Sequence, residues 1–254
     1  MKVRLHQYLS RTGRFASKRE VKEAVWSGDI TVAGSVIKDI AFQFNANTKA
    51  VHWRGERLHL PGLHRTYVLN KPAGVICSRL NRQERALGKR SVFELLRDVV
   101  DDSTYDRMLT AGRLDEATTG LLILTTDGQL VHQIASPENK VAKTYAVRTT
   151  PRIEASDAAK LREGVVIELE ENGVLRPYQT QPANVALEAD GTVFVTISEG
   201  KKRQVRRMFA SLGVEVTDLH RCSIGGLHLD VLRLERGGSV EMDERLLRQS
   251  IFHE

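Results

Sequence analysis

The chain has 254 residues, with 38 Lys+Arg against 32 Asp+Glu, 41% hydrophobic and 28% charged residues. That composition supports a sizeable core and excludes disorder along the whole chain. Its longest clearly apolar stretch, Gly120-Leu121-Leu122-Ile123-Leu124, falls far short of the ~20 residues a membrane-spanning helix needs. Two distant cysteines, Cys77 and Cys222, make neither a disulfide framework nor a CxxC motif, which fits a reducing, cytoplasmic compartment.

The net charge of +6 is unevenly distributed. Residues 1–60 hold 11 Lys+Arg and 5 Asp+Glu, so the whole excess lies in the first quarter of the chain. A basic segment ahead of a neutral body reads as a docking arm for a polyanion or as a solvated face with no partner. Leu5, Tyr8 and Leu9 recur at helical spacing, and Gly13 ends that helix. Ser17-Lys18-Arg19-Glu20 has the form of a capping box. Val21, Ala24 and Val25 follow as an apolar stripe, and Gly28 stops the second helix. Lys18 and Lys22 are one turn apart, with Arg14 and Arg19 beside them, a pattern able to follow a phosphate backbone. Ile30 and Val32 alternate with polar neighbours before a turn at Ala33-Gly34, where Ala33 is a weak choice for the first position. The basic start also fits a mitochondrial presequence, but a cleaved leader needs no capping box, stop glycine or strands.

Pro61-Gly62 is a turn or linker signal, so a domain boundary is placed there: residues 1–60 and residues 61–254. Strands are predicted at Tyr67–Asn70, Gly120–Thr125, Thr144–Val147, Val165–Leu169 and Thr192–Ser198. Arg79 to Arg90 has no clear period and reads as a loop. Ser91 and Glu94 form a second capping box, predicting a helix to about Val100. Asp127 is expected to cap a helix ending near Ala135, and Val205, Met208, Phe209 and Leu212 stripe a helix stopped by Gly213. Strands outnumber helices and rarely alternate with them one for one, which favours an α+β fold over a doubly wound sheet.

The common nucleotide, metalloprotease and serine hydrolase motifs are absent. His220 and Cys222 lack a second pair of ligands and read as structural. Three segments stand out: Ala111 to Gly120, running into a strand and Thr126-Asp127-Gly128; Ala142-Lys143-Thr144-Tyr145-Ala146-Val147; and Ser198 to Met208. In the last, five of the seven residues from Lys201 to Arg207 are basic, and such a cluster ahead of an amphipathic helix favours an anion.

Together these segments resemble the RsuA-type ribosomal RNA pseudouridine synthases. Tyr67 to Gly74 resembles the family's opening strand and turn, residues 220–229 its closing block, and residues 1–60 the alpha-L RNA-binding module that often precedes the enzyme. The resemblance covers nearly the whole chain in the expected order. It implies a β-rich α+β catalytic domain behind a small N-terminal α/β RNA-binding module. The implied activity is isomerisation of a specific uridine, with the small-subunit rRNA slightly favoured, without cofactor or metal. The catalytic acid falls on Asp115, the active-site tyrosine on Tyr145 and the arginine partner on Arg206. An ionised carboxylate beside the ribose can attack the anomeric carbon or remove a neighbouring ribose proton, and both routes stay open. A guanidinium within hydrogen-bond reach keeps such a carboxylate ionised and oriented. An aromatic ring offers the extracted base a stacking surface, and Ile197 is the candidate aliphatic contact on its other face. Arg113, Arg203 and Arg207, with Arg14, Lys18, Arg19 and Lys22 of the N-terminal module, are candidate RNA contacts that offset the few kcal/mol of base flipping. The expected partner is ribosomal RNA or a ribosomal subunit precursor, met by a monomer without a membrane. A noncatalytic RNA-binding or ribosome-assembly protein is the alternative, although such a protein has no need of the Asp115, Tyr145 and Arg206 trio.

Overall fold

The computed structural model describes residues 2–46, 48–58, 60, 64–171 and 173–252. They form two compact units, Met1–His64 and Arg65–Glu254. The turn expected at Pro61-Gly62 lies outside the described residues.

In the first unit, β1 (Lys2–Arg4) runs into α1 (Leu5–Arg11), and α2 (Lys18–Ser27) follows. The predicted stripes are buried: Leu5, Tyr8 and Leu9 from α1, and Val21, Ala24 and Val25 from α2. The α2 cap differs from a closed box. The Ser17 side chain accepts from the Glu20 amide at 3.2 Å, but the Glu20 carboxylate accepts from the Ala16 amide at 2.7 Å, one residue further back. Strands β2 (Ile30–Val32), β3 (Ser35–Val36), β5 (Val51–Trp53) and β6 (Glu56–Leu58) form one sheet in the order β3-β2-β5-β6. Strand β4 (Gln43–Asn45) pairs with β1.

The second unit is built on one mixed sheet. Its main path runs β15 (Asn184–Leu187), β16 (Val193–Ile197), β12 (Lys143–Thr150), β17 (Glu215–Ile224), β11 (Thr119–Thr125), β7 (Thr66–Lys71) and β19 (Ser239–Glu241). Along that path β11 and β17 are parallel and the other neighbours are antiparallel. Short strands β10 (Leu109–Thr110) and β18 (Leu227–His228) extend β11 and β17. A separate pair, β8 (Val75–Ile76) with β9 (Arg90–Ser91), is parallel, and β13 (Val166–Glu171) with β14 (Val174–Gln179) makes a hairpin.

Alternation along the strands sends side chains to two cores. Tyr67, Leu69, Leu122, Leu124, Val147, Val195 and Leu219 join a large cluster that also holds residues of α6 (Ala155–Glu163) and α7 (Gln204–Ala210). Val68, Leu121, Ile123 and Ile224 join a second cluster with α5 (Gly128–Ala135) and α8 (Glu244–Phe252). Asp127 caps α5 by accepting from the Gln129 amide at 2.8 Å, and it also binds Arg248 of α8 at 2.9 Å. The mixture of helices and strands is the expected α+β fold.

Two readings of the 79–100 region are corrected. The Arg-rich stretch contains a helix, α3 (Arg82–Ala86), closed by a full capping box between Asn81 and Glu84. The helix predicted from Ser91 is only a short 3-10 turn at Glu94–Leu96. The Ser91 hydroxyl donates to the Ser78 carbonyl at 2.7 Å and accepts from the Phe93 amide at 3.3 Å, so it does not cap Glu94. The helical turn of this region comes later, as α4 (Asp102–Arg107), capped by Asp101.

At the β2–β3 turn Ala33 sits in the left-handed region at φ 51°, followed by Gly34 at φ 84°. A side chain there costs ~1–2 kcal/mol, and asparagine tolerates it best. Ala33→Asn is therefore expected to stabilise the chain by about 0.5–1 kcal/mol, measured by denaturant unfolding; a neutral or destabilising result would contradict the strain.

Candidate active site

A cavity of about 670 Å³ opens in the second unit, and Asp115, Tyr145, Ile197, Arg113 and Arg203 all line it. A row of residues lies across the sheet, and two of them, Arg221 and Tyr145, line the cavity. Lys71 of β7 is opposite Gly120 of β11, Gly120 is opposite Arg221 of β17, and Arg221 is opposite Tyr145 of β12. The same face is apolar one step along each strand, at Leu69, Leu122, Leu219 and Val147. The row thus marks where core packing gives way to chemistry.

Each member is held for a physical reason. The Lys71 side chain is fully buried. Its ammonium donates to the carbonyls of Pro72 at 3.0 Å, Glu116 at 3.2 Å and Thr118 at 2.8 Å, fixing the loop that carries Asp115. Burial lowers the Lys71 pKa, while Cys77, Glu116 and Asp115 act to raise it. The Thr118 amide donates to the Asp115 carbonyl at 3.0 Å, and the Leu114 amide to the Cys77 sulfur at 3.4 Å. These bonds close the loop on both sides of the half-buried acid. Burial pushes the Cys77 thiol up, so it stays a neutral acceptor at ordinary pH.

Gly120 has φ 104°, and a Cβ there would lie 2.3 Å from the Arg221 carbonyl oxygen. Only glycine lets β11 approach β17 this closely. Between Thr144 and Tyr145 the β12–β17 register shifts, skipping Cys222. Such a bulge re-aims the side chains beside it. Tyr145 is 8% exposed and Ile197 4%.

Arg221 was not among the sequence candidates, yet it is 1% exposed and lines the cavity. Its Nε donates to the Leu121 carbonyl at 2.7 Å, and its buried Nη2 has no hydrogen-bond partner among the described residues. The sequence signal for it is an Arg in the HRCSIGG block, which resembles the family's closing block but carries no charge pattern of its own. Arg206, expected as the partner of Asp115, is placed differently. Its Nη1 donates to the Val216 carbonyl at 2.9 Å, and it does not line the cavity. Arg206 thus joins α7 to β17, while β17 brings a buried arginine, Arg221, to the cavity.

The rest of the basic cluster is also largely engaged. Arg207 donates to the Glu168 carbonyl, Lys202 pairs with Glu170 at 3.8 Å, and the Lys201 ammonium lies 4.7 Å from the Tyr178 ring centre. Buried Glu199 accepts from the Tyr178 hydroxyl at 2.6 Å, the Gln181 amide at 2.8 Å and the Gln204 side chain at 2.5 Å, tying the β13–β14 hairpin to the loop before α7. Arg203, at φ 56°, and Arg113 keep exposed guanidinium groups without hydrogen-bond or ion-pair partners among the described residues. His220 shares a 2.8 Å hydrogen bond with Thr119. Among the described residues no cluster of three or more His, Cys, Asp or Glu is placed to hold a metal ion.

In the first unit, Arg14 pairs with Glu56 at 2.6 Å and Arg19 with Glu23 at 2.8 Å. On α2, Lys18 and Lys22 are exposed and have no side-chain partner among the described residues. One turn beyond Lys22, Trp26 is 58% exposed, an aromatic surface that the sequence reading passed over.

A mixed sheet that gathers a carboxylate, a tyrosine and a buried arginine around one cavity defines a class. Residues 65–211 match the model of the RNA pseudouridylate synthase family. The chain belongs to that family, in its RsuA type, and is a pseudouridine synthase, an isomerase that converts uridine in RNA. Among its relatives, the ribosomal small subunit pseudouridine synthase A of Vibrio cholerae is 36% identical over 214 residues, covering 84% of this chain and 85% of that one. The enzyme of the same name from Vibrio vulnificus is 38% identical over 215 residues, covering 85% and 86%. A crystal structure of a pseudouridylate synthase matches 98% of this chain and 100% of its own, with TM-score 0.62 and 29% identity.

The Gly120 contact gives a direct check. Gly120→Ala forces backbone apart at β11–β17 and is expected to destabilise the protein by more than about 2 kcal/mol, read by chemical denaturation. A change under about 0.5 kcal/mol would show that the close approach is not enforced.

Proposed function

We propose that this enzyme isomerises a specific uridine of ribosomal RNA, in the small subunit as its relatives' names indicate, with Asp115 as the group that opens the glycosidic bond. The observation that carries this reading is that Asp115, Tyr145 and Arg221 line one cavity. Pockets of a few hundred Å³ suit a small ligand, and a flipped nucleotide falls in that range. Asp115 either attacks the anomeric carbon or takes the proton of the neighbouring ribose carbon. The base separates, turns, and rejoins the ribose through C5 instead of N1.

Arg221 supplies the buried cation on the same side of the sheet, and its unpartnered Nη2 is a donor available to the Asp115 carboxylate or the incoming ribose. In a dry site such a donor acts more strongly than in water. The Tyr145 ring gives the base a stacking surface, and Ile197 packs against it. The free guanidinium groups of Arg113 and Arg203 bind phosphates flanking the flipped nucleotide.

Residues 1–60 act as an RNA-binding domain of the alpha-L type, and residues 61–254 as the catalytic domain that follows it in the chain. Lys18 and Lys22 carry its phosphate contacts, Trp26 offers a face for an unpaired base, and Arg14 and Arg19 contribute less because carboxylates already partner them. The reading is tested by incubating the protein with rRNA transcripts and ribosomal precursors and mapping carbodiimide-resistant stops. A single new stop is expected; none on any substrate would favour a noncatalytic RNA-binding protein.

Two further outcomes follow. Arg221→Met is expected to lower kcat by ~10²–10³-fold with RNA affinity within a few-fold, while Arg206→Met chiefly lowers Tm. The reverse pattern would return the partner role to Arg206. Replacing Lys18 and Lys22 by Ala should reduce the slope of log affinity against log salt by about 1.4–1.8, and replacing Arg14 and Arg19 should reduce it less. Equal slopes in all variants would remove α2 from the RNA contact.

A further inference from the structure

Beside the buried Arg221, the cavity contains a half-buried cation that the mechanism above leaves unused. Lys143 lies two residues before Tyr145 on β12, so both side chains take the same face, and both line the cavity. Its ammonium donates to the Val141 carbonyl at 2.9 Å, which occupies one of three protons. No carboxylate pairs with it among the described residues, and the like charge of Arg221 acts against its protonated form. A half-buried cation without a paired carboxylate is an arrangement that costs stability until an anion enters.

The chemistry supplies such an anion. On either route the N1–C1′ bond breaks with both electrons going to the base, leaving uracil negatively charged over N1, O2 and O4. When C5 uses that electron pair to bond C1′, the bond from the Asp115 carboxylate to C1′ breaks on the attack route, or C2′ takes its proton back from Asp115 on the other. C5 then gives its proton to the Asp115 carboxylate or to water, and N1 takes one from water, so the net change is one proton moved from C5 to N1. We propose that the Lys143 ammonium hydrogen-bonds a carbonyl oxygen of the detached uracil and holds its negative charge while the base turns, keeping its own protons throughout. This rests on the assignment of Asp115 chemistry above, but it holds for both of the routes open to Asp115.

Burial first, and Arg221 second, lower the Lys143 pKa to about 8. The charged and titratable groups that line the cavity with it are Arg221 from β17, Asp115 and Arg113 from the loop before β11, Cys77, Tyr145 of its own strand and Arg203 before α7. Glu116, Lys201 and Lys202 also line the cavity but are engaged by Lys89, the Tyr178 ring and Glu170. Because the protonated form is the active one, the free enzyme should lose activity as pH rises through about 8.

The test is single-turnover conversion of rRNA by the full-length wild type, Lys143→Arg and Lys143→Met, with Tm and RNA affinity measured beside it. Lys143→Met is expected to bind RNA within about three-fold of wild type and convert it ~10²-fold more slowly. Lys143→Arg is expected to retain most of the rate and to lose the wild-type decline above about pH 8. A Met variant at the wild-type rate, a Met variant weakened only in affinity, or an Arg variant with the unchanged alkaline limb would each overturn the proposal. If Lys143→Met does not fold, the pH profiles of wild type and Lys143→Arg decide it. A wild type that leaves every rRNA substrate unmodified fails at the earlier reading and takes this one with it, whereas an active wild type with an equally active Met variant sinks this one alone.

Discussion

The whole site depends on one buried ammonium. Lys71 reaches from the last residue of β7 under the Asp115 loop and binds two of its carbonyls, Glu116 and Thr118, together with that of Pro72 in the turn after β7. A loop with its carbonyls turned inward would leave them unsatisfied without a donor of that reach, at ~1–3 kcal/mol each. Lys71 thereby converts a surface connection into a rigid platform, and Gly120, the next residue in the row, brings β17 close enough to place Arg221 beside it. Catalytic groups need positioning to within a fraction of an ångström. Here that precision comes from strand register and one charged tie, with the loop itself left short.

Electrostatics in this protein are sorted by availability more than by count. The sequence between Lys201 and Arg207 reads as a concentrated anion site, yet the β13–β14 hairpin and β17 engage four of its five cations. What remains is sparse: Arg203 and Arg113 toward the cavity, and Lys18 and Lys22 on α2. Exposed pairs such as Arg14–Glu56 contribute little to stability, but they do decide which cations an RNA meets without first displacing a carboxylate.

The elements readable from sequence were those with strong local signals. The stripes of α1, α2 and α7 and the strands around Leu69, Leu122 and Val147 are where periodicity places them. Capping boxes were less dependable, because hydroxyls have rivals: Ser91 spends its hydroxyl on Ser78 and Phe93, and the helix expected from it shrinks to one turn. Helix α3 was hidden because none of its residues is buried, so it carries no apolar period. At the site, Asp115, Tyr145 and Ile197 were legible through their segments, whereas Arg221 was not. Its burial and its open Nη2 arise from pairing between β11, β17 and β12, residues about a hundred positions apart, and no local pattern records such a meeting. Arg206 was assigned through the resemblance of its segment, and a segment match says nothing of where α7 points a side chain.

The chemistry assigned to this cavity requires that one carboxylate open the glycosidic bond. Asp115→Asn preserves size and most hydrogen bonding while removing the charge, and Asp115 anchors no ion pair among the described residues, so the fold should survive the change. Single-turnover conversion of rRNA uridine by this variant is the most direct measurement. The assignment predicts a loss of more than about 10³-fold with unchanged melting temperature and RNA affinity. Conversion at the wild-type rate would contradict it.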